Sequence, residues 1–148
     1  MRTRSEPDNT APQLSMTVER LMEADAGDIY RAWTEKFDAW FAQPGDMYMT
    51  PEVDKPFFFY NRTDWGRHPH YGRFLELQKN KLVEMTWVTG EGGTGGAETI
   101  IRVELSAQEE GTLLRLTHSG FPSEESRDGH AENWPEGLEV LDKVLCGD

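Results

Sequence analysis

The chain has 148 residues, enough for one domain with a real core, and carries 27 acidic against 15 basic residues for a formal net charge of -12. With the basic residues scattered, that balance repels nucleic-acid backbones and anionic membrane surfaces. No stretch approaches the roughly 20 consecutive apolar residues needed to cross a bilayer, so neither nucleic acid nor a membrane is an expected partner.

Residues 1–13 are polar, contain Pro7 and Pro12, and have no apolar run of the kind a secretory signal needs. They read as a flexible leader, and residues 14–148 as a single domain. The single cysteine, Cys146, has no intramolecular partner, which points to a reducing cytoplasm. It reads as a helix-end residue rather than a nucleophile.

LSMTVERLM (14–22) alternates as a first strand. Asp25 then caps a helix, with Asp28 in its first turn and Ile29 and Trp33 one turn apart. Thr34 reads as the cap of a second short helix, EKFDAWFA, which ends at Gln43-Pro44-Gly45-Asp46. MYMTPEV (47–53) reads as an edge strand, since Pro51 removes a ladder donor. PFFFYNRT (56–63) is another strand, DWGRHP a loop, and HYGRFLELQ and KLVEMTWVT two strands joined at Lys79-Asn80. GEGGTGG (90–96) has no GKS or GKT and no helix after it, so it reads as an entropic loop at a sheet edge rather than a phosphate cradle. ETIIRVELSAQ and GTLLRLTHSG form a hairpin across Glu109-Glu110-Gly111.

Period-two alternation assigns one apolar face. It holds Ile101, Val103 and Leu105; Leu114, Leu116 and His118; Val83, Met85 and Trp87; and, in RFLELQ, Arg73, Leu75 and Leu77. By the same parity His70 falls with Glu76 and Gln78 on the wetted face. At the C-terminal end Trp134, Leu138, Leu141 and Leu145 form one helical stripe. Ser123 is a cap with Glu124 and Glu125 behind it, and Pro135 divides the region into two segments, the main helix covering about residues 133–146.

The order of elements is strand, two short helices, about six further strands, long helix. It resembles the START-like, helix-grip superfamily (Bet v-like, polyketide-cyclase), and within it the branch named after the activator of the ninety-kilodalton heat-shock chaperone ATPase. The resemblance is carried by IYRAWTE with Trp40-Phe41, by YGRFLELQKNKLVEMTW, by GTLLRLTHSGF, and by Trp134 with Leu138 and Leu141. It covers about residues 14–146. Two departures stand out: EVDKPFFFY replaces the family's Gly-Gly pair, and Asn133 and Pro135 flank the helix tryptophan. The resemblance implies an α+β fold, a curved antiparallel sheet of six or seven strands gripping the C-terminal helix over its concave face. It also implies an apolar cavity between the two, used by relatives for lipids, sterols, polyketides and other hydrophobic molecules.

The expected cavity set follows. His118, Arg73 and Tyr71 would supply polar contacts. The wall would come from Trp33, Trp40, Phe57, Phe59, Leu75, Trp87, Ile101, Leu116, Trp134 and Leu138. His118 could instead be a buried histidine hydrogen-bonded within the core, and Arg73 could pair with a carboxylate. His68 and His70 have the i, i+2 spacing of half a zinc site, but Asp64, His118 and His130 are not expected to converge on them, so no metal or other cofactor is expected. No Ser-His-Asp, Cys-His or paired-carboxylate arrangement stands out. The expected function is a binder of a small hydrophobic molecule, monomeric or homodimeric. Two alternatives remain: a protein-interaction module for a chaperone or other protein, using exposed aromatics such as Trp65, and a cyclase or hydrolase using His118.

Overall fold

Alternating burial organises the sheet. In β6 (Thr99–Gln108) as far as Leu105, and throughout β7 (Gly111–Ser119), every second side chain is buried, with Ile101, Val103, Leu114, Leu116 and His118 on one face as their sequence period requires. The computed structural model describes residues 14–63 and 66–147; the leader, Asp64 and Trp65 lie outside the described residues. The elements are β1 (Ser15–Met22), α1 (Ala26–Thr34), β2 (Met47–Tyr48), β3 (Pro56–Thr63), β4 (Gly66–Gln78), β5 (Leu82–Trp87), β6, β7 and α2 (Glu124–Cys146). They form one seven-stranded antiparallel sheet in the order β1-β7-β6-β5-β4-β3-β2, with α2 against the apolar face. This is the α+β helix-grip arrangement.

Local chemistry sets several element ends. The Asp25 side chain accepts from the Asp28 amide and starts α1; the Ser123 hydroxyl accepts from the Ser126 amide and starts α2. Gly147, with φ 76°, ends α2 in the left-handed conformation that glycine adopts without cost. Thr34 is no cap. It is the last residue of α1, and its hydroxyl donates to the Tyr30 carbonyl at 2.9 Å. The expected second helix is a single 3-10 turn, Phe37–Ala39, that drops Phe37 into the core.

The face assignment of β4 needs correction. Phe74 pairs with Met85, but the next partner, Glu84, belongs to Glu76, so Leu75 is an extra residue in a β-bulge. Beyond it Leu77 faces in, opposite Val83; before it the inward set is His70, Gly72 and Phe74. Parity counted back from Leu77 is therefore wrong for everything upstream. His70 is buried, not wetted, and Phe74 is fully buried. Arg73 faces out, where its guanidinium meets Asp54 at 3.0 Å, and Leu75 stays half-exposed.

Helix α2 also differs from expectation: it runs unbroken through Pro135 for 23 residues. Pro135 offers no N–H to the Ala131 carbonyl one turn back, and an internal proline costs about 3 kcal/mol. Burying Trp134, Leu138 and Leu141 against the sheet is worth about 1.5–3 kcal/mol for each side chain, which outweighs that cost. A further clamp escaped the sequence reading. Asp142 on α2, 3% exposed, accepts from the amides of Glu23 (3.1 Å) and Ala24 (3.2 Å) and sits 3.5 Å from Arg20. It ties the end of the helix to the β1–α1 connection.

Candidate functional site

Between α2 and the sheet, most of the space that the resemblance assigns to a cavity is filled by rings. Trp33 meets Phe37, Trp40 and Trp134 at centroid distances of 5.3, 5.1 and 5.8 Å, and Phe37 stacks on Phe59 at 5.0 Å. Phe57 stacks on Phe59, and Ile101, Leu116 and Leu138 are buried beneath α2. These expected wall residues are packed core.

One hollow of about 510 Å³ remains at the end of this cluster. Its aromatic faces come from Phe41, Trp87 and Trp134; its polar atoms come from β3 and β4 (Asn61, His68, His70), from α2 (His130, Asn133) and from the glycine loop at 90–93. Of the expected site residues only Trp87 and Trp134 line it. Tyr71 and Arg73 are on the outer side of the sheet, Leu75 is at the bulge, and Trp40 packs from below, its indole N–H on the Ala32 carbonyl at 3.0 Å.

The glycine loop is ordered by specific bonds rather than being a free sheet-edge loop. The Thr89 and Thr94 side chains each accept from the other's amide, at 2.7 and 2.8 Å, and the Ser126 hydroxyl of α2 donates to the Gly93 carbonyl at 2.7 Å. Gly93 has to be glycine, since a Cβ there would lie 2.1 Å from Thr89 Oγ1.

Three imidazoles have their protonation fixed by their partners. His70 stacks flat on Phe59 (4.8 Å, 11°) and meets Trp87 and Phe41 edge-on. Its Nδ1 lies 2.9 Å from the His68 carbonyl. A carbonyl only accepts, so Nδ1 carries the proton and neutral His70 keeps a lone pair on Nε2. His130 does the same, with Nδ1 2.7 Å from the Ser126 carbonyl. Burial lowers the pKa of both, that of His70 to about 4.

His118 is the opposite case. The Thr99 hydroxyl donates to the Trp87 carbonyl at 2.6 Å, so it accepts from His118 Nε2–H at 2.7 Å. The Trp134 indole N–H donates to His118 Nδ1 at 3.0 Å. Both ring nitrogens are engaged, and burial lowers the pKa to about 3, with His130 adding to the shift. His118 therefore stands behind the hollow and holds Trp134 in its wall, with no proton or lone pair to offer a ligand. His68, whose Nε2 bonds the Thr63 hydroxyl at 2.7 Å, lines the hollow beside His70. Among the described residues no group of three His, Cys, Asp or Glu is placed to hold a metal, and no helix is long and apolar enough to cross a membrane.

A sheet gripping a long helix, with a hollow at one end of the grip, defines a START-like domain. Residues 23–146 match the family described as "Activator of Hsp90 ATPase homolog 1-like protein", and the chain belongs to that family. Solved structures with the same fold include a Mesorhizobium loti protein (23% identity, TM-score 0.75, covering 90% of this chain and 97% of that one) and a Chromobacterium violaceum protein (18%, 0.77, 91% and 99%). Another is the Aha1 dimer from Colwellia psychrerythraea (23%, 0.67, 88% and 95%). No curated protein matches the sequence.

Proposed function

We propose that this chain binds a small, largely hydrophobic molecule in the hollow between the end of the β3–β4 pair, the glycine loop and α2. One observation carries the reading: about 510 Å³ walled by aromatic faces, with a few converging polar atoms, is the size and make-up of a small-molecule site. The single cysteine supports a cytoplasmic setting. Gly137 lines the hollow, and a Cβ there would meet only the Trp134 ring at 3.7 Å, so Gly137→Phe should fill the space without disturbing the core. Native mass spectrometry of the purified protein, followed by denaturing extraction, should find a co-purifying hydrophobic compound that Gly137→Phe lacks. A bare wild-type protein whose uptake of a hydrophobic dye is unchanged by Gly137→Phe would refute the reading.

A second reading, an interaction module for a chaperone or another protein, is favoured by the outer face of the sheet edge. Tyr48 and Tyr71 are 65% and 47% exposed around Phe58, and a relative of this fold is described as a dimer. Here Tyr48→Ser with Tyr71→Ser should lower either self-association in sedimentation or stimulation of a purified Hsp90 ATPase. Absence of both activities in the wild-type chain would remove this reading.

A further inference from the structure

Two imidazoles of the hollow present acceptors to it. His70 and His130 each hold Nδ1–H against a backbone carbonyl, and among the described residues neither Nε2 meets a partner. Neither Nε2 is among the buried side-chain atoms left without a hydrogen bond, so each keeps surface open to the hollow they both line. Asn61 adds a further acceptor oxygen, its amide nitrogen donating one N–H to the Phe41 carbonyl at 2.9 Å. Charge sharpens the selection. Among the described lining residues there is one carboxylate, Glu91, and no Lys or Arg, so an anionic ligand would find no counter-ion among them. The wall also carries the ring faces of Phe41, Trp87 and Trp134, which favour flat aromatic molecules and tolerate cations.

We infer that the hollow selects a neutral or cationic aromatic molecule whose O–H or N–H groups donate to Nε2 of His70 and of His130. The inference rests on the reading of the hollow as a hydrophobic binding site and adds its polarity rule. Both imidazoles are neutral at physiological pH, since burial lowers their pKa values. Nδ1–H pinned by a carbonyl fixes which nitrogen is free, a common way of presenting an imidazole lone pair. Hydroxyl-for-hydrogen discrimination is strong at such a site, because a ligand lacking the donor leaves the buried acceptor without the water it gave up.

Tryptophan fluorescence reports the test directly, because Trp87 and Trp134 form the wall. Three probes would be titrated into the full chain: a vicinal naphthalenediol, its dimethyl ether and a naphthalene carboxylate. The diol should bind about tenfold or more tightly than the ether, one to two net hydrogen bonds' worth, and the carboxylate should bind weakest. In His70→Phe and in His130→Phe the diol's advantage should fall to about threefold or less while the ether's affinity holds. His130 is half-exposed, so its variant supplies the answer if His70→Phe does not fold. Equal binding of diol and ether in the wild type would overturn the inference while leaving a hydrophobic site in place. A diol advantage untouched in both variants, or tightest binding of the carboxylate, would also overturn it. Failure of all three probes to bind would remove the site along with its polarity rule.

Discussion

The indole N–H of Trp134 donates to Nδ1 of His118 across 3.0 Å, joining the middle of α2 to β7. The bond continues through His118 Nε2–H to the Thr99 hydroxyl and on to the Trp87 carbonyl, so two tryptophans in the wall of the hollow hang from one buried chain. Removing the imidazole orphans the Trp134 donor and opens a void. His118→Ala should therefore cost about 3 kcal/mol in urea unfolding, combining an unsatisfied buried group with a small cavity. The Trp134 emission should also shift as its N–H loses its acceptor. A variant within about 0.5 kcal/mol of wild type would show that the chain of bonds carries little of the fold's stability.

The same burial makes stability depend on acid. His118 and His70 titrate near 3 and near 4 in the folded protein against an ordinary 6.5. Below pH 6.5 the unfolded chain binds protons that the folded chain refuses. Stability is thus complete above that pH and declines as pH falls toward the folded values. Each histidine contributes a slope of up to about 1.4 kcal/mol per pH unit, so near pH 5 the two together give about 2.5 kcal/mol per pH unit. Urea midpoints measured from neutral pH down to about pH 5 should show this steepening, and His118→Gln should roughly halve it. A flat profile over that range would contradict the buried, neutral assignment of both rings.

What could be read from the sequence, and what could not, divides along physical lines. β6 and β7 pair without a break and bury one face, so alternation alone placed Ile101, Val103, Leu114, Leu116 and His118 correctly. The caps Asp25 and Ser123 are local chemistry and were equally legible. β4 was not, because the single extra residue at Leu75 inverts every upstream parity, and a bulge of this kind has no side-chain signature. Hence parity alone turns Arg73 inward and His70 outward, the reverse of where they lie. Periodicity also marks a residue as inward without saying whether it meets another ring or a void, so Phe57, Phe59 and Leu138 read as cavity wall although they are core. His130 lies one turn before Trp134, and that spacing was the available pointer to it. Asn61, brought in by β3, had none.

At Pro135 a local rule predicts a break, and tertiary packing overrides it. If the helix is continuous because Trp134, Leu138 and Leu141 hold it, the proline remains a standing cost within it. Pro135→Ala restores a donor for the Ala131 carbonyl and should raise stability by about 1–3 kcal/mol, with a higher thermal midpoint. An unchanged or lowered midpoint would mean that the helix already relaxes around the ring, or that the proline's rigidity helps the native state through the unfolded chain.

Gly72 tests the strand geometry that brings His70 inward. It faces the interior between His70 and Phe74, directly opposite Phe57 in the ladder. A Cβ at this position would lie 2.1 Å from the Thr86 carbonyl oxygen and 2.5 Å from Phe57 Cζ. The phenyl ring can turn aside, but the Thr86 oxygen belongs to the backbone of β5 and cannot move without parting the two strands. Gly72→Ala should accordingly destabilise by about 2–3 kcal/mol or more, through overpacking against the backbone of β5. Its effect should reach the hollow, since His70 is two residues away on the same face and Trp87 follows Thr86 in β5. Thermal unfolding and tryptophan emission of the variant together are the check. A fully stable Gly72→Ala protein with unaltered emission would mean that the two strands do not lie this close, and the inward placement of His70 would fall with that contact.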